Sequence, residues 1–396
     1  MNQRLFILFA FCFLCFALSA DTWLQTYDPF DEAIFNVEDV VICSDGGYAI
    51  NGTCVDQQTT IGWGFVIKTD SNGNMLWAKR DTVSFQIENE SQAIVETEDE
   101  GIISASWLFL GGSAMIKRNI DGNREWVNLL YDLYICTMCR TNDGNIITAG
   151  SNYVNSEEWP TLAKIDQLTN IIWTNTYTFE DYEWGVVTSV IPSSDGGYLL
   201  TGYVKDNETE NAILVIKTNA DGDSLWTKIL DETSLDDRGY TIAEIDEGNI
   251  LVGGSLDDRT SGFLWKLDSE GNTIWFESGT ENCGYGFKSF AKASENSIIS
   301  LFSELYFYDN SLRKFDNDYN IEWTNDLPYY SGSGDKALGI TSSECIIVAL
   351  YNPPNVALIK LNPDGTDIGE NIINVSKTIL NAYPNPFNPE INFGSF

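Results

Sequence analysis

One lysine recurs along this chain with a period that few folds can accommodate. Lys68, Lys117, Lys164, Lys217, Lys266, Lys314 and Lys360 stand 49, 47, 53, 49, 48 and 46 residues apart, and they are half of the 14 lysines present. Two residues after each comes Asp70, Asn119, Asp166, Asn219, Asp268, Asp316 or Asn362. Nine residues after the first six comes Trp77, Trp126, Trp173, Trp226, Trp275 or Trp323. Seven recurrences at one spacing mark a structural position, since each repeat must bury its apolar surface against a copy of itself. Strand residues two apart share a face, so each lysine is expected beside its own Asx residue, which also closes the following turn.

Within a repeat, short β-branched and aromatic runs alternate with turn residues. The first complete copy predicts strands over Phe35–Ser44, Tyr48–Thr53, Trp63–Thr69 and Met75–Lys79. The first turn is Asp45-Gly-Gly or a relative of it, and the third-to-fourth turn is Asn72-Gly73, Asp121-Gly122, Asp221-Gly222, Glu270-Gly271 or Asp364-Gly365, with glycine supplying a positive φ. Four strands per repeat make a propeller blade. The predicted fold is all-β: a seven-bladed β-propeller of four-stranded antiparallel blades over residues 21–370.

The seventh repeat has no tryptophan after Lys360. Trp23 stands near the amino terminus instead, in Thr22-Trp-Leu-Gln-Thr-Tyr27, which matches Trp173-Thr-Asn-Thr-Tyr177. An open stack would leave both end strands unpaired, whereas a ring can borrow its last strand from the other end of the chain. Residues 21–27 are therefore expected to complete the blade formed near 337–361.

Composition narrows the chemistry. Aromatic residues at 13% provide ample core, and 58 acidic against 22 basic residues give a net charge of −36. Nucleic acid is excluded as a partner, because phosphate binding needs clustered cations. The chain holds no histidine, which removes the commonest general base and every imidazole metal site. Cys136-Thr-Met-Cys139 has redox spacing but falls within a strand, where it is expected to pack as small residues. Loops such as Asp70-Ser-Asn-Gly-Asn74 depart from the spacing of an EF-hand and are expected to be plain turns, so no metal and no cofactor is expected.

The first 20 residues have one Arg4, an apolar run from Leu5 to Leu18 and small residues at Ser19 and Ala20. That pattern predicts a signal peptide, and no later run is long and apolar enough for a membrane helix. Residues 371–396 are expected to be a linker and the start of a further domain. The protein is accordingly expected to be secreted or displayed on the outer cell surface, as a monomer.

The unit Ile-Lys-x-Asp-x-x-Gly-Asn-x-x-Trp resembles the propeller repeats of secreted bacterial surface proteins and, more distantly, the blades of pyrroloquinoline-quinone-type proteins. Those quinone enzymes are eight-bladed with a cysteine pair under the cofactor; seven units without adjacent cysteines imply no quinone here. Leu380-Asn-Ala-Tyr-Pro-Asn-Pro-Phe-Asn-Pro389 resembles the opening of a type IX secretion (Por) sorting domain. The resemblance implies export through the type IX secretion machinery, recognised at a carboxyl-terminal signal of which only the start is present.

Two functions follow. The first is a noncatalytic binding or adhesion module for an extracellular glycan or protein. Its candidate contacts lie in irregular loops: Glu157, Glu158 and Trp159; Asp181, Tyr182, Glu183 and Trp184; Asp236, Asp237 and Arg238; Tyr329 and Tyr330. Carboxylates beside aromatic rings suit sugar stacking and hydroxyl hydrogen bonding. The alternative is a carboxylate-dependent glycoside hydrolase or lyase acting on extracellular polysaccharide, which needs only two acids. A sialidase fits less well, because Asp70 precedes Gly73 by three residues where that family's Asp box has two.

Overall fold

In a computed structural model of the chain, residues 22–365 are described, apart from 31–32, 57–61, 82–88, 109–110, 155–156, 207–209, 233–235, 258–259, 280–285, 294–296, 304–309, 317, 328–336 and 353–354. The signal-peptide and sorting-domain segments lie outside the described residues, as does Cys283.

Seven antiparallel sheets of four strands make up the described chain. Blade 1 consists of Ala33–Ile42, Tyr48–Asp56, Gly62–Thr69 and Met75–Asp81, and blades 2 to 6 occupy 89–130, 133–176, 182–230, 238–278 and 286–327. The first strands of neighbouring blades touch all the way round, including the strand at 33–42 against Leu338–Ile340 of blade 7, so they surround the axis and the fourth strands form the rim. Trp23–Tyr27 is the rim strand of blade 7, antiparallel to Asn355–Leu361 with Trp23 opposite Lys360. The ring is closed by the strand that the tryptophan pattern predicted.

Packing between blades explains the apolar runs. In blade 4, Leu200, Leu214 and Ile216 face Ile147, Ala149 and Leu162 of blade 3. The alternate residues Leu199, Ile213 and Val215 face Ile242, Val252 and Phe263 of blade 5. The third strand is thus buried on both faces, and each such side chain contributes about 1.5–3 kcal/mol. The sequence Ala212-Ile-Leu-Val-Ile216 is uninterrupted for that reason.

The recurrent tryptophans join blades. Four lie across the turn after the third strand of the next blade, where a Cβ on the turn glycine would fall 2.6–2.9 Å from the indole: Trp77 on Gly122, Trp173 on Gly222, Trp226 on Gly271 and Trp323 on Gly365. Trp77 Nε1 also donates to Ile120 O at 2.8 Å. Trp23 makes the same contact with Gly73 across the closure, and Tyr27 adds a 2.7 Å hydrogen bond from its hydroxyl to Gly73 O.

The strands of blade 1 begin or end up to three residues from their expected bounds, and one such shift and the partner of the lysine have plain causes. The first strand of blade 1 ends at Ile42, not Ser44, because Cys43 N–H bonds to Gly47 O at 2.9 Å and closes the turn. Lys68 pairs not with Asp70 but with Asp45 of the first turn, at 2.7 Å. Lys117, Lys164 and Lys217 likewise meet Asp99, Asp143 and Asp195 at 2.5–2.7 Å. The reason is that Asp70 is committed to its own turn, accepting the Asn72 and Asn74 backbone N–H groups at 2.9 and 2.8 Å. Lys314 meets Glu322 at 2.8 Å, Lys266 lies 4.6 Å from the Tyr319 ring centroid, and Lys360 sits in the ladder between Trp23 and Ile347.

Candidate functional site

Strand order divides the ring into two faces. First-to-second and third-to-fourth hairpins share one, which we term the turn face. Second-to-third loops and the links between blades share the other, the variable face, where the sequence departs most from its repeat.

In six blades the innermost strand carries a one-residue register slip, at Glu38, Gln92, Cys136, Thr188, Tyr240 and Lys288. The paired position on the second strand is Gly52, Gly150, Gly202 or Gly254 in four of these blades. A Cβ there would come within 1.9–2.0 Å of a carbonyl oxygen of the first strand. Such bulges twist and re-aim a strand, and beyond them the first strands of blades 4 and 5 present a cluster of polar and aromatic side chains.

That cluster draws on three separate segments. Trp184, on the first strand of blade 4, packs edge-on against Tyr203 of the second strand at 5.5 Å. Arg238, opening blade 5, lies 5.2 Å from the centroid of the same Tyr203 ring. Asp236 holds the guanidinium at 2.6 Å through Oδ2, while its Oδ1 accepts the Asn211 backbone N–H at 3.2 Å. The hydroxyl of Ser255 is 3.4 Å from that of Tyr240, the bulged residue beside Arg238. Three residues proposed from sequence, Trp184, Asp236 and Arg238, are therefore brought together with Tyr203 and Tyr240, all half-buried.

Carboxylates crowd this cluster. Asp237 is fully buried and accepts backbone N–H groups of Glu232 at 3.1 Å and Asp257 at 3.3 Å. Exposed Asp231 has its carboxyl pKa raised, first by burial of its surroundings and then by Asp237 and Asp206. Tyr182 is raised as well, by burial and then by Asp231, Asp206 and Asp181. Asp181, on the link between blades 3 and 4, and Glu183, on the first strand of blade 4, are exposed.

The remaining candidates occupy blade 3. Trp159 is only 4% exposed and packs 6.3 Å from Phe179, which is in turn 6.3 Å from Tyr182. Its ring is a core element and offers no stacking face. Glu158 accepts a hydrogen bond from Ser151 and raises the pKa of Tyr153, a 49% exposed ring that packs 5.6 Å from Tyr134. Glu157 is exposed beside them. Tyr329 and Tyr330 lie outside the described residues. Sequence reasoning missed Tyr203, Tyr240, Tyr134 and Tyr153, which stand inside strands and carry no signal beyond a tyrosine near a strand end.

On the turn face, Ser194, Asp195, Lys217, Glu244, Asp246 and Glu270 line an open groove between blades 4 and 5. Its central carboxylate is a strut: Glu244 accepts hydrogen bonds from Ser194 N at 2.6 Å and Ser194 Oγ at 2.7 Å. Glu96 binds Ser44 in the same way between blades 1 and 2. Among the described residues, Cys43, Cys54, Cys136, Cys139 and Cys345 are free thiols, and no helix is long and apolar enough to cross a membrane.

Neither a protein-family model nor a curated protein matches the sequence. Solved structures do match in fold. The WD40 β-propeller domain of Doa1 aligns with 86% of this chain and 97% of its own at 12% identity and a TM-score of 0.54. The Dos1 propeller aligns with 86% of this chain and 96% of its own at 8% identity and a TM-score of 0.53.

Proposed function

We propose that this protein is a secreted or surface-displayed binding module, exported by a type IX-like route, that captures an extracellular glycan or protein without chemical turnover. The propeller is a closed ring whose variable face joins side chains of blades 4 and 5, an arrangement suited to recognition. The observation that carries the reading is the convergence of Trp184, Tyr203, Arg238 and Asp236 from three segments onto that face. Aromatic edges and faces provide contact area, Arg238 is held in position by Asp236, and the surrounding carboxylates accept hydroxyl or amine donors. Export is supported by the leader-like first 20 residues and the Tyr383-Pro-Asn-Pro-Phe387 motif.

A glycan array, a panel of extracellular matrix proteins and a polysaccharide hydrolysis screen, run on wild type and on Trp184→Ala and Arg238→Ala, test the proposal. Retained ligand that both variants lose, with no release of product, is the expected result. Cleavage of a polysaccharide without stable binding would replace the binding module with the hydrolase.

A further inference from the structure

Blade 7 is assembled from two distant parts of the chain, and the contacts that hold its outer strand are few and specific. Residues 23–27 pair antiparallel with 356–360. Two anchors supply the side-chain recognition. Trp23 lies over Gly73 and packs edge-on against Tyr48 at 5.7 Å. Tyr27, 6% exposed, donates its hydroxyl to Gly73 O at 2.7 Å.

The same constellation recurs in blade 3, within an unbroken chain. Trp173 covers Gly222 and approaches Tyr198 at 6.2 Å, and Tyr177 donates to Gly222 O at 2.7 Å. Trp-x-x-x-Tyr is thus a recognition unit of its own: a strand read by main-chain pairing and by two pockets on the next blade, in the manner of β-strand addition. In the connection that follows, Phe30 packs on blade 1, 6.2 Å from the Phe35 ring and 4.7 Å from the Arg80 guanidinium, whereas Trp23 and Tyr27 carry the side-chain recognition of the strand itself. The strand contacts are identical for the same segment of another copy, and the chain's own strand is favoured by the higher effective concentration of its tether.

We propose that blade 7 is an exchangeable strand-acceptor site that takes an extended Trp-x-x-x-Tyr segment in trans, with a second copy of this chain as the donor. Exchange of this element would yield a strand-swapped dimer of two complete rings.

The test uses the full chain with a protease site inserted within 28–32 and cut after folding. A fluorescent peptide spanning Thr22–Asp28 is added and its incorporation followed by anisotropy and gel filtration. Labelled peptide co-eluting with the ring is expected. Peptides carrying Trp23→Ala or Tyr27→Ala should bind at least ten-fold more weakly, and an unlabelled peptide containing Trp173–Tyr177 should compete. A nicked ring that unfolds and recovers only when the wild-type peptide is present supports the site equally. No incorporation, or equal binding of the alanine peptides, would overturn the acceptor. Refolding two differently tagged intact chains together at high concentration tests the donor: a mixed dimer supports it, and monomers alone overturn it.

Discussion

Replacing Asp81 tests the radial packing at its most demanding point. Asp81 ends the rim strand of blade 1 and is 0% exposed; Arg118 ends the third strand of blade 2 and is 5% exposed. Arg118 Nη2 donates to Asp81 Oδ1 at 2.6 Å and to Arg80 O at 3.1 Å, while Ser104 Oγ donates to Asp81 Oδ2 at 2.5 Å. The pair is an ionic bolt through an interface that excludes water. Asp81→Ala leaves a guanidinium buried without its counter-ion, which costs about 3–5 kcal/mol. With an unfolding entropy of roughly 0.7 kcal/mol/K for a ring of this size, that corresponds to a melting temperature lower by about 4–7 °C. Urea unfolding followed by tryptophan fluorescence measures the loss directly. Arg118→Ala should cost a similar amount, and the double variant Asp81→Leu with Arg118→Met should be more stable than either single variant, because burying two apolar chains avoids the unpaired charge. A single-variant cost below about 1 kcal/mol, or a double variant as unstable as the two costs added, would refute the reasoning.

Gly73→Ala places a methyl group 2.6 Å from the Trp23 ring at a φ of +77°, so it should destabilise the ring by about 1–3 kcal/mol in a melt; Gly196→Ala, with a φ of +92° but nothing within 4 Å, should cost less. Acid sensitivity follows from the turn carboxylates. Asp143 is held below the ordinary range by its hydrogen bond from Lys164, and at Asp99 and Asp195 burial pushes upward but is outweighed by Lys117, Lys217 and turn N–H groups. Depressed native pKa values stabilise the fold above the unfolded value of about 3.9 and lose that contribution as pH falls through the native values. The urea midpoint should therefore hold from about pH 7 to 5 and fall below about pH 4; Lys164→Met should fall less steeply, and identical pH profiles would count against the pairing. Burial pushes the Cys43 thiol up to about 12 and Cys54 to about 11, so mass mapping after alkylation at about pH 8 should leave both unmodified in the native ring and modified in urea.

The period, the strand count and the closure were legible because each leaves a residue-level mark. Lys68 and its six equivalents set the period, and Trp23 supplied the indole missing after Lys360. The partner of the lysine was not legible, since Asp45 and Asp70 lie on two different turns at the same end of the sheet, and only three-dimensional proximity chooses between them. The bulges were equally hidden: Gly52 and Gly202 are visible as letters, but the carbonyl oxygens that forbid a Cβ there belong to another strand. At the candidate site, Trp184 and Trp159 look alike in sequence, each beside an acid at the edge of a loop. Burial against Phe179 removes Trp159 from consideration, whereas Tyr203 and Arg238 gather around Trp184. The Asp81–Arg118 pair left no signal either, because it joins two blades at positions that do not repeat.

The turn after the third strand of blade 7 has a consequence for display. Gly365 lies in this turn, bonded through its N–H to Asn362 O at 3.0 Å and covered by Trp323. That turn is on the opposite side of the ring from Trp184, Tyr203 and Arg238. A tether attached just after this turn would hold the ring by its turn face, and the candidate residues on the variable face would point away from the surface that held it.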